Sequence, residues 1–403
     1  MKLSDRILQI QPSPTLYITA LAKEMKSQGI DVVSFGAGEP DFDTPQNIKD
    51  AAVDAIAAGM TKYTPAGGIN ELKQAIADKF VRDNSLAYGL NEIVVNCGGK
   101  HSFYNLMQVL LDPEDEVVIP APYWVSYPPM VQLAGGKPVI LDTNDMSDFK
   151  ITPQQLTDSI TPKTKGVVIN SPSNPTGSSY TEQEIRDLAA VVEGKDIFII
   201  SDDIYESIIY NGKKFFNSAM ISEDFKHKTI ILNGVSKTYS MTGWRIGYMA
   251  GDADVMKKVG ILQSQSTSNP CSIAQWAAVE AINGDQSFIA KMVETFARRR
   301  DLIVDKLNAI DGITVNRPDG AFYVFPNISG IRGFDGWKKI ESGLDGDSFS
   351  SKFTEQLLKD ANVAAVPGIA FGADDYMRLS FATSDELIQK GVDRIAQFVA
   401  TLR

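Results

Sequence analysis

The chain has 403 residues, with 39 Lys and Arg against 50 Asp and Glu, a formal charge of −11. Such a length buries a core without disulfides or metal, and two domains are the natural expectation. The acidic balance excludes a nucleic-acid surface, and no apolar run reaches the roughly 18 residues of a membrane span. Two cysteines exclude a disulfide scaffold, and two histidines argue against a His-rich zinc site or a Ser-His-Asp triad.

The opening residues, MKLSDRILQI, contain no apolar signal region or small-residue cleavage site, so no signal peptide is predicted. Cys97 and Cys271 form no C-x-x-C pair and suit a reducing, cytoplasmic setting. Thr44-Pro45 reads as an N-cap and first-turn proline. Ile48, Ala51, Ala52, Ala55 and Ile56 follow at helical spacing. Leu72, Ile76 and Phe80 mark a second helix. Strand Ile93–Asn96 then meets a Gly98-Gly99 break and a helix bearing Phe103, Leu106, Met107 and Leu110. Strands are predicted at Glu116–Ile119, Lys137–Leu141, Gly166–Asn170, Ile197–Ile200, Thr229–Leu232 and Arg245–Ala250. Thr152-Pro153 and the Thr181/Glu184 capping box start the helices between them.

Most of these strands are continuous apolar runs. That pattern marks strands buried on both faces, hence an α/β fold with a mostly parallel sheet covered by helices. Beyond Gly251 a long amphipathic stretch runs to Arg298-Arg299-Arg300, read as a solvated helix face or a domain-junction ion-pair site. The last hundred residues predict strands near Ile313–Val315, Phe322–Phe325 and Met377–Phe381, with helices around Phe353–Leu358 and Leu387–Leu402. They read as a smaller α+β domain joined by the N-terminal segment.

Ligands of open α/β sheets bind beyond the carboxyl ends of the strands. Four polar clusters stand there: Gly98-Gly99-Lys100, Ser171 to Gly177 with Asn174, Ser201-Asp202-Asp203-Ile204-Tyr205, and Asn233 to Lys237 with Ser236. Taken singly, each reads as a turn, a cap or a surface charge. Arg245 and Arg378 are different, because each is predicted inside an apolar strand, where an unpaired charge is costly. Together the clusters ask for a phosphate at Gly98, Gly99, Ser236 and Arg245. They ask for a ring that faces the Asp202 carboxylate and the hydrogen-bonding groups of Asn174 and Tyr205, and for a carbonyl that accepts the Lys237 amine. Pyridoxal 5′-phosphate meets every requirement, with Lys237 as its Schiff-base residue. Arg378 would grip a substrate carboxylate bidentately. Asp202-Asp203 lacks accompanying ligands, so no metal is predicted.

These residues resemble a known family. The segments Ser34-Phe-Gly-Ala-Gly-Glu-Pro-Asp-Phe, Lys62-Tyr63-Thr-Pro-Ala-Gly, Pro122-Tyr-Trp124-Val-Ser-Tyr, Ser173-Asn174-Pro-Thr-Gly177, Asp202-Asp-Ile-Tyr205, Ser236-Lys237 through Met241-Thr-Gly-Trp-Arg245-Ile-Gly, and Met377-Arg378-Leu-Ser are similar to class I pyridoxal-phosphate aminotransferases of fold type I. The likeness is greatest to the bacterial-type aspartate aminotransferases. It implies a large cofactor-binding domain over 49–296 and a small domain from 1–48 with 297–403. It implies that Trp124 stacks on the cofactor ring and that Gly38 contacts the substrate carboxylate through its backbone. It implies a homodimer whose Tyr63 reaches the partner's cofactor phosphate. Lys100, with Thr15 in Pro12-Ser13-Pro14-Thr15, implies recognition of a distal carboxylate and so an aspartate/2-oxoglutarate pair. Related enzymes with these two residues also accept prephenate. A broader-specificity aminotransferase for aromatic substrates or alanine is the alternative, and a C–S β-lyase is a more distant rival. Gly234 departs from members that carry a hydroxyl residue there.

Overall fold

The computed structural model describes residues 2–12 and 14–403, and the side chains of 13–16 lie outside the described set. Strand β1 (Val33–Ser34) comes first. Seven strands follow: β2 (Ile93–Asn96), β3 (Glu116–Ala121), β4 (Lys137–Asp142), β5 (Thr164–Asn170), β6 (Phe198–Asp202), β7 (Thr229–Gly234) and β8 (Gly247–Ala250). Four short strands close the chain: β9 (Tyr323–Val324), β10 (Val363–Ala364), β11 (Val366–Pro367) and β12 (Met377–Ser380).

The seven strands form one sheet in the order β2-β8-β7-β6-β5-β3-β4. Strands β3 to β7 run parallel, and β8 is antiparallel to both neighbours. Every residue of β2, β7 and β8 is buried, as strands covered on both faces require. The edge strand β4 is only partly covered. The covering helices bury one stripe each. Glu182–Val192 turns Ile185, Leu188, Ala189 and Val192 inward. Its start is set by Thr181, whose Oγ1 accepts from the Glu184 amide while Glu184 Oε2 accepts from the Thr181 amide. This mostly parallel sheet covered by helices is the arrangement the sequence implied.

A second core gathers Val33 and Phe35 with residues from both ends of the helix Ser287–Asn308 and from the last hundred residues. Strand β1 pairs with β10 in register Val33↔Val363, and β11-β12-β9 makes an antiparallel sheet beside it. The 22-residue helix Ser287–Asn308 runs unbroken through position 296. Its Arg run is a junction of ion pairs. Arg298 pairs with Asp385, Arg299 reaches Asp41 at 2.8 Å and Asp385 at 3.4 Å, and Arg300 lies over the Tyr210 ring.

Four local expectations need correction. Thr44 caps no helix: Gln46–Ala57 starts without a side-chain cap, and Thr44 Oγ1 donates instead to the Ser240 carbonyl, 196 residues away. Ile313–Val315 forms no strand, only an isolated bridge from Thr314 to Asn327. The long amphipathic stretch is three helices, Ala253–Ser264, Ser272–Asn283 and Ser287–Asn308. The strand expected at Arg245 begins two residues later, at Gly247.

Candidate active site

The pairing Asn170↔Asp202 and Asp202↔Leu232 sets the carboxyl ends of β5, β6 and β7 side by side. Asn170 ties two of these ends together. Its Nδ2 donates to the Asp202 carbonyl at 2.9 Å, and its Oδ1 accepts from the Asn174 amide at 2.8 Å. Strand β2 is antiparallel to β8, which is antiparallel to β7, so β2 ends on the same edge.

A cavity of about 250 Å³ opens at this edge. Lys237, Asp202, Asn174, Tyr205 and Ser236 line it, and so do Gly38, Gly99, Lys100, Trp124, Arg245 and Arg378. Gly98 adjoins it. Its φ of +87° suits glycine, and a Cβ there would collide with the Arg245 guanidinium. Tyr63 is not brought into the cavity and is 93% exposed. The Thr15 side chain lies outside the described residues.

Arg245 is not in a strand. It follows the short 3-10 helix Thr242–Trp244 in a left-handed turn, with φ 57°. It is exposed at the cavity mouth, where one guanidinium nitrogen donates to the Thr242 carbonyl at 2.8 Å. An exposed arginine needs no buried partner, so the reason given for singling it out fails while its position beside Gly98 stands. Gly234 also has a physical reason. A Cβ there would stand 3.0 Å from Gly247 Cα, because β7 and β8 pack backbone to backbone at Gly234↔Gly247.

Lys237 Nζ donates to the Gly38 carbonyl at 2.5 Å. Burial lowers its pKa to about 8, with Glu39 opposing and the Arg378 and Arg245 charges adding to the drop. Burial raises the Asp202 carboxyl, against hydrogen bonds from Tyr127 and the Ile204 amide and the charge of Lys237. Burial, then the Arg245 charge, lowers Lys100, whose Nζ lies 5.3 Å from the centroid of the Trp124 ring. Arg378 is 2% exposed. It donates to Asn174 Oδ1 at 3.0 Å and to the Gly36 carbonyl at 2.8 Å.

Three residues in this site were not found from the sequence. Tyr323 shares a 2.9 Å hydrogen bond with the Tyr205 hydroxyl, and its ring lies 4.5 Å from the Arg378 guanidinium. Phe371 also lies against that guanidinium, at 5.1 Å. Tyr127 donates to Asp202 Oδ2 at 2.5 Å. Tyr127 stood at the end of a quoted motif. Tyr323 sits in an apolar run of the second core and Phe371 in a separate cluster with Phe149, Phe325, Val366 and Tyr376; neither run carries a polar signature.

The residues fit pyridoxal phosphate. Arg378 Nε is buried without a hydrogen-bond partner, which leaves a donor for an added carboxylate. Lys237 is an amine drawn toward its neutral, nucleophilic form. Gly98 and Gly99 open a helix at Arg245 and Ser236, a donor set suited to phosphate. Among the described residues, no group of His, Cys, Asp and Glu could hold a metal ion, and no helix is long and apolar enough to cross a membrane.

Comparison with known proteins agrees with this chemistry. The family model described as aminotransferase class I and II matches residues 30–395. An aspartate aminotransferase of Bacillus sp. (strain YM-2) is 51% identical over 397 residues, covering 98% of this chain and 99% of that protein. An aspartate/prephenate aminotransferase of Nitrosomonas europaea is 50% identical over 402 residues, covering 99% and 100%. Among solved structures, an aspartate aminotransferase from Rhizobium meliloti superposes with a TM-score of 0.94 at 45% identity, covering all of both chains. One from Thermus thermophilus, with maleate, gives 0.91 at 41%, covering 98% and 99%. This chain belongs to the class I and II aminotransferases and is a pyridoxal-phosphate-dependent enzyme of that family.

Proposed function

We propose that the enzyme moves the amino group of aspartate to 2-oxoglutarate, giving oxaloacetate and glutamate in two half-reactions. One observation carries the choice of a dicarboxylate: besides Lys237 and the phosphate-side Arg245, two further cationic side chains meet the cavity, Arg378 with an unpartnered buried nitrogen and Lys100 at the rim beside Trp124. The maleate of the Thermus relative, itself a dicarboxylate, supports this reading. So do the names of the Bacillus relatives.

Bound pyridoxal phosphate supplies a carbonyl that accepts and returns amino groups and a ring that withdraws electrons from the substrate Cα. Lys237 would anchor it through Nζ and, once freed by the substrate amine, would move the proton between the substrate Cα and the cofactor. Asp202 would be the partner of the ring nitrogen. Asn174 and Tyr205 would donate to the ring oxygen, and Trp124 would offer its face to the ring. Gly98, Gly99, Ser236 and Arg245 would hold the phosphate, with Lys100 close by. Arg378 takes the α-carboxylate, helped by Asn174 and the Gly38 backbone. Lys100 and Thr15 meet the distal carboxylate.

A large unit, 49–296, and a small unit, 1–48 with 297–403, close over the substrate. The enzyme acts as a homodimer with shared sites. Tyr63 supports that reading, because a tyrosine so fully outside its own cavity is free to enter another. Val53, Ile56 and Met60 lie exposed on the helix and turn before it. The half-buried Cys97 and exposed Cys271, both free, fit a cytoplasmic setting.

The test is the half-reaction. Aspartate, glutamate, alanine, phenylalanine and arogenate are mixed in turn with the holoenzyme, and conversion of the cofactor absorbance to that of pyridoxamine phosphate is timed. Aspartate and glutamate should react fastest. Arogenate reacting as fast would extend the reading to prephenate, as the Nitrosomonas relative suggests. Reaction with neutral donors alone would defeat the role of Lys100. Mixing Tyr63→Ala with Lys237→Ala tests the shared site. Random hybrid dimers carry one intact site in half of cases, so about a quarter of wild-type activity should return.

A further inference from the structure

Tyr127 enters the cavity wall with no role in the reading above. It opens the helix Tyr127–Leu133 and is 1% exposed. Its ring is wedged between Phe103, centroids 4.8 Å apart, and the edge-on Trp124, at 5.2 Å. A phenol so confined has one direction in which to donate, and it donates to Asp202 Oδ2 at 2.5 Å. The other carboxylate oxygen, Oδ1, accepts a longer bond from the Ile204 amide at 3.3 Å. Tyr127 therefore supplies the short hydrogen bond on this carboxylate.

The neighbouring titratable groups are otherwise engaged. Asp203 accepts from Ser201 Oγ at 2.6 Å and Asn217 Nδ2 at 2.7 Å, the Tyr205 hydroxyl is bound to Tyr323, and Lys237 Nζ is bound to the Gly38 carbonyl. None of them competes with Tyr127 for Asp202.

A carboxylate paired with a ring nitrogen shares one proton with it. That proton rests on whichever partner the surroundings favour. Donation to the carboxylate stabilises its anion over its acid. We infer that Tyr127 is a positioning residue that sets where this proton rests: it keeps Asp202 the anionic acceptor, so that Asp202 leaves the proton on the ring nitrogen of bound pyridoxal phosphate. The inference rests on the reading of Asp202 as the ring's partner. The same phenol touches Trp124, so one side chain braces two walls of the ring site.

The experiment loads wild type, Tyr127→Phe, Asp202→Asn and the double variant with pyridoxal phosphate labelled with nitrogen-15 in the ring. The ring nitrogen's NMR shift and the cofactor dissociation constant are measured near neutral pH. Tyr127→Phe should move the resonance toward the unprotonated position and weaken cofactor binding about tenfold, as loss of a hydrogen bond to a charged group does. In the Asp202→Asn background, the same substitution should add nothing. A wild-type resonance in Tyr127→Phe, or an equal further loss in the Asp202→Asn background, overturns the inference. So does a change confined to the melting temperature of the cofactor-free protein, which would make Tyr127 a packing residue. An unmoved resonance in Asp202→Asn would instead bring down the reading of Asp202 itself, and with it this one.

Discussion

Arg378→Lys keeps the charge and removes the fork. In the enzyme the guanidinium already serves Asn174 Oδ1 and the Gly36 carbonyl, lies between the rings of Tyr323 and Phe371, and keeps Nε unpartnered. A lysine ammonium is a point donor on a flexible stem. It cannot hold both protein oxygens and also present two parallel donors to a substrate carboxylate. Loss of one charge-assisted hydrogen bond removes about 1.5–3 kcal/mol, and weaker stacking about 0.5–1 kcal/mol more. At about 1.4 kcal/mol per decade, kcat/KM should fall roughly 30- to 1,000-fold. Aspartate and 2-oxoglutarate should suffer alike, because both carry the carboxylate that Arg378 meets. The assay is the transient half-reaction in each direction, with the cofactor dissociation constant as control. A kcat/KM within about threefold of wild type would refute the argument, and so would a cofactor affinity that fell as far as kcat/KM.

Other expectations follow from single contacts. Gly98→Ala forces a side chain into positive φ against the Arg245 guanidinium. Strain of about 1–3 kcal/mol should weaken cofactor binding about tenfold, with little change in the aspartate KM at saturating cofactor; fluorescence titration reads the first, and unchanged binding refutes it. In the cofactor-free enzyme, Lys237 titrates near 8 and not 10.5. Between those values the unfolded chain binds more protons, so stability should rise with pH across that window. Below it the penalty is fully present, on the order of 3 kcal/mol. Lys237→Met should therefore stabilise the cofactor-free protein at neutral pH and flatten that slope, as denaturant titrations can show. Asp203 shifts the other way, its carboxyl pushed up to about 8 chiefly by burial. The folded protein then binds more protons than the unfolded chain between about pH 4 and 8, and stability falls as pH rises through that range. Asp203→Asn should abolish the fall, its new amide meeting the unpartnered Asn217 Oδ1; a variant that keeps the fall sinks the assignment.

What the sequence made legible was local in origin. A strand buried on both faces is an apolar run whatever surrounds it, so the number of the large sheet's strands and their places along the chain could be read from one segment at a time, whereas their order across the sheet could not. The polar groups past each strand end are local too, because the chain must turn there. Thr44 was misread because its hydroxyl serves a carbonyl 196 residues away, a choice that no window of sequence contains. Arg245 was misplaced because the apolar run behind it continues into the strand, while the turn that exposes it comes from Thr242–Trp244. Tyr323 and Phe371 were invisible because aromatic residues in a core are the ordinary case. The approach of Arg378 from β12 gives both rings a polar neighbour, and the Tyr205 hydroxyl gives Tyr323 a second.

The segment from Gly36 to Thr44 explains why both ends of the chain belong to one reaction. The Gly36 carbonyl accepts from Arg378, and the Gly38 carbonyl accepts from Lys237. Glu39 Oε2 accepts from Thr242 Oγ1 at 2.8 Å, at the turn that presents Arg245. Asp41 pairs with Arg299 in the junction helix, and Phe42 packs edge-on against Phe296 with ring centroids 5.5 Å apart. Thr44 closes the run on the Ser240 carbonyl and accepts from Trp244 Nε1 at 3.1 Å. These nine residues thus touch Arg378, Lys237, the Thr242–Arg245 turn and the joint between the two cores, the groups proposed above to meet the carboxylate, the substrate carbon and the phosphate. Backbone carbonyls carry the two contacts nearest the chemistry, so side-chain identity there matters less than where the segment lies. Its position is fixed at Asp41 and Thr44, outside the cavity. A movement of the C-terminal core relative to the sheet that displaced this segment would shift the acceptors of Arg378 and Lys237 together.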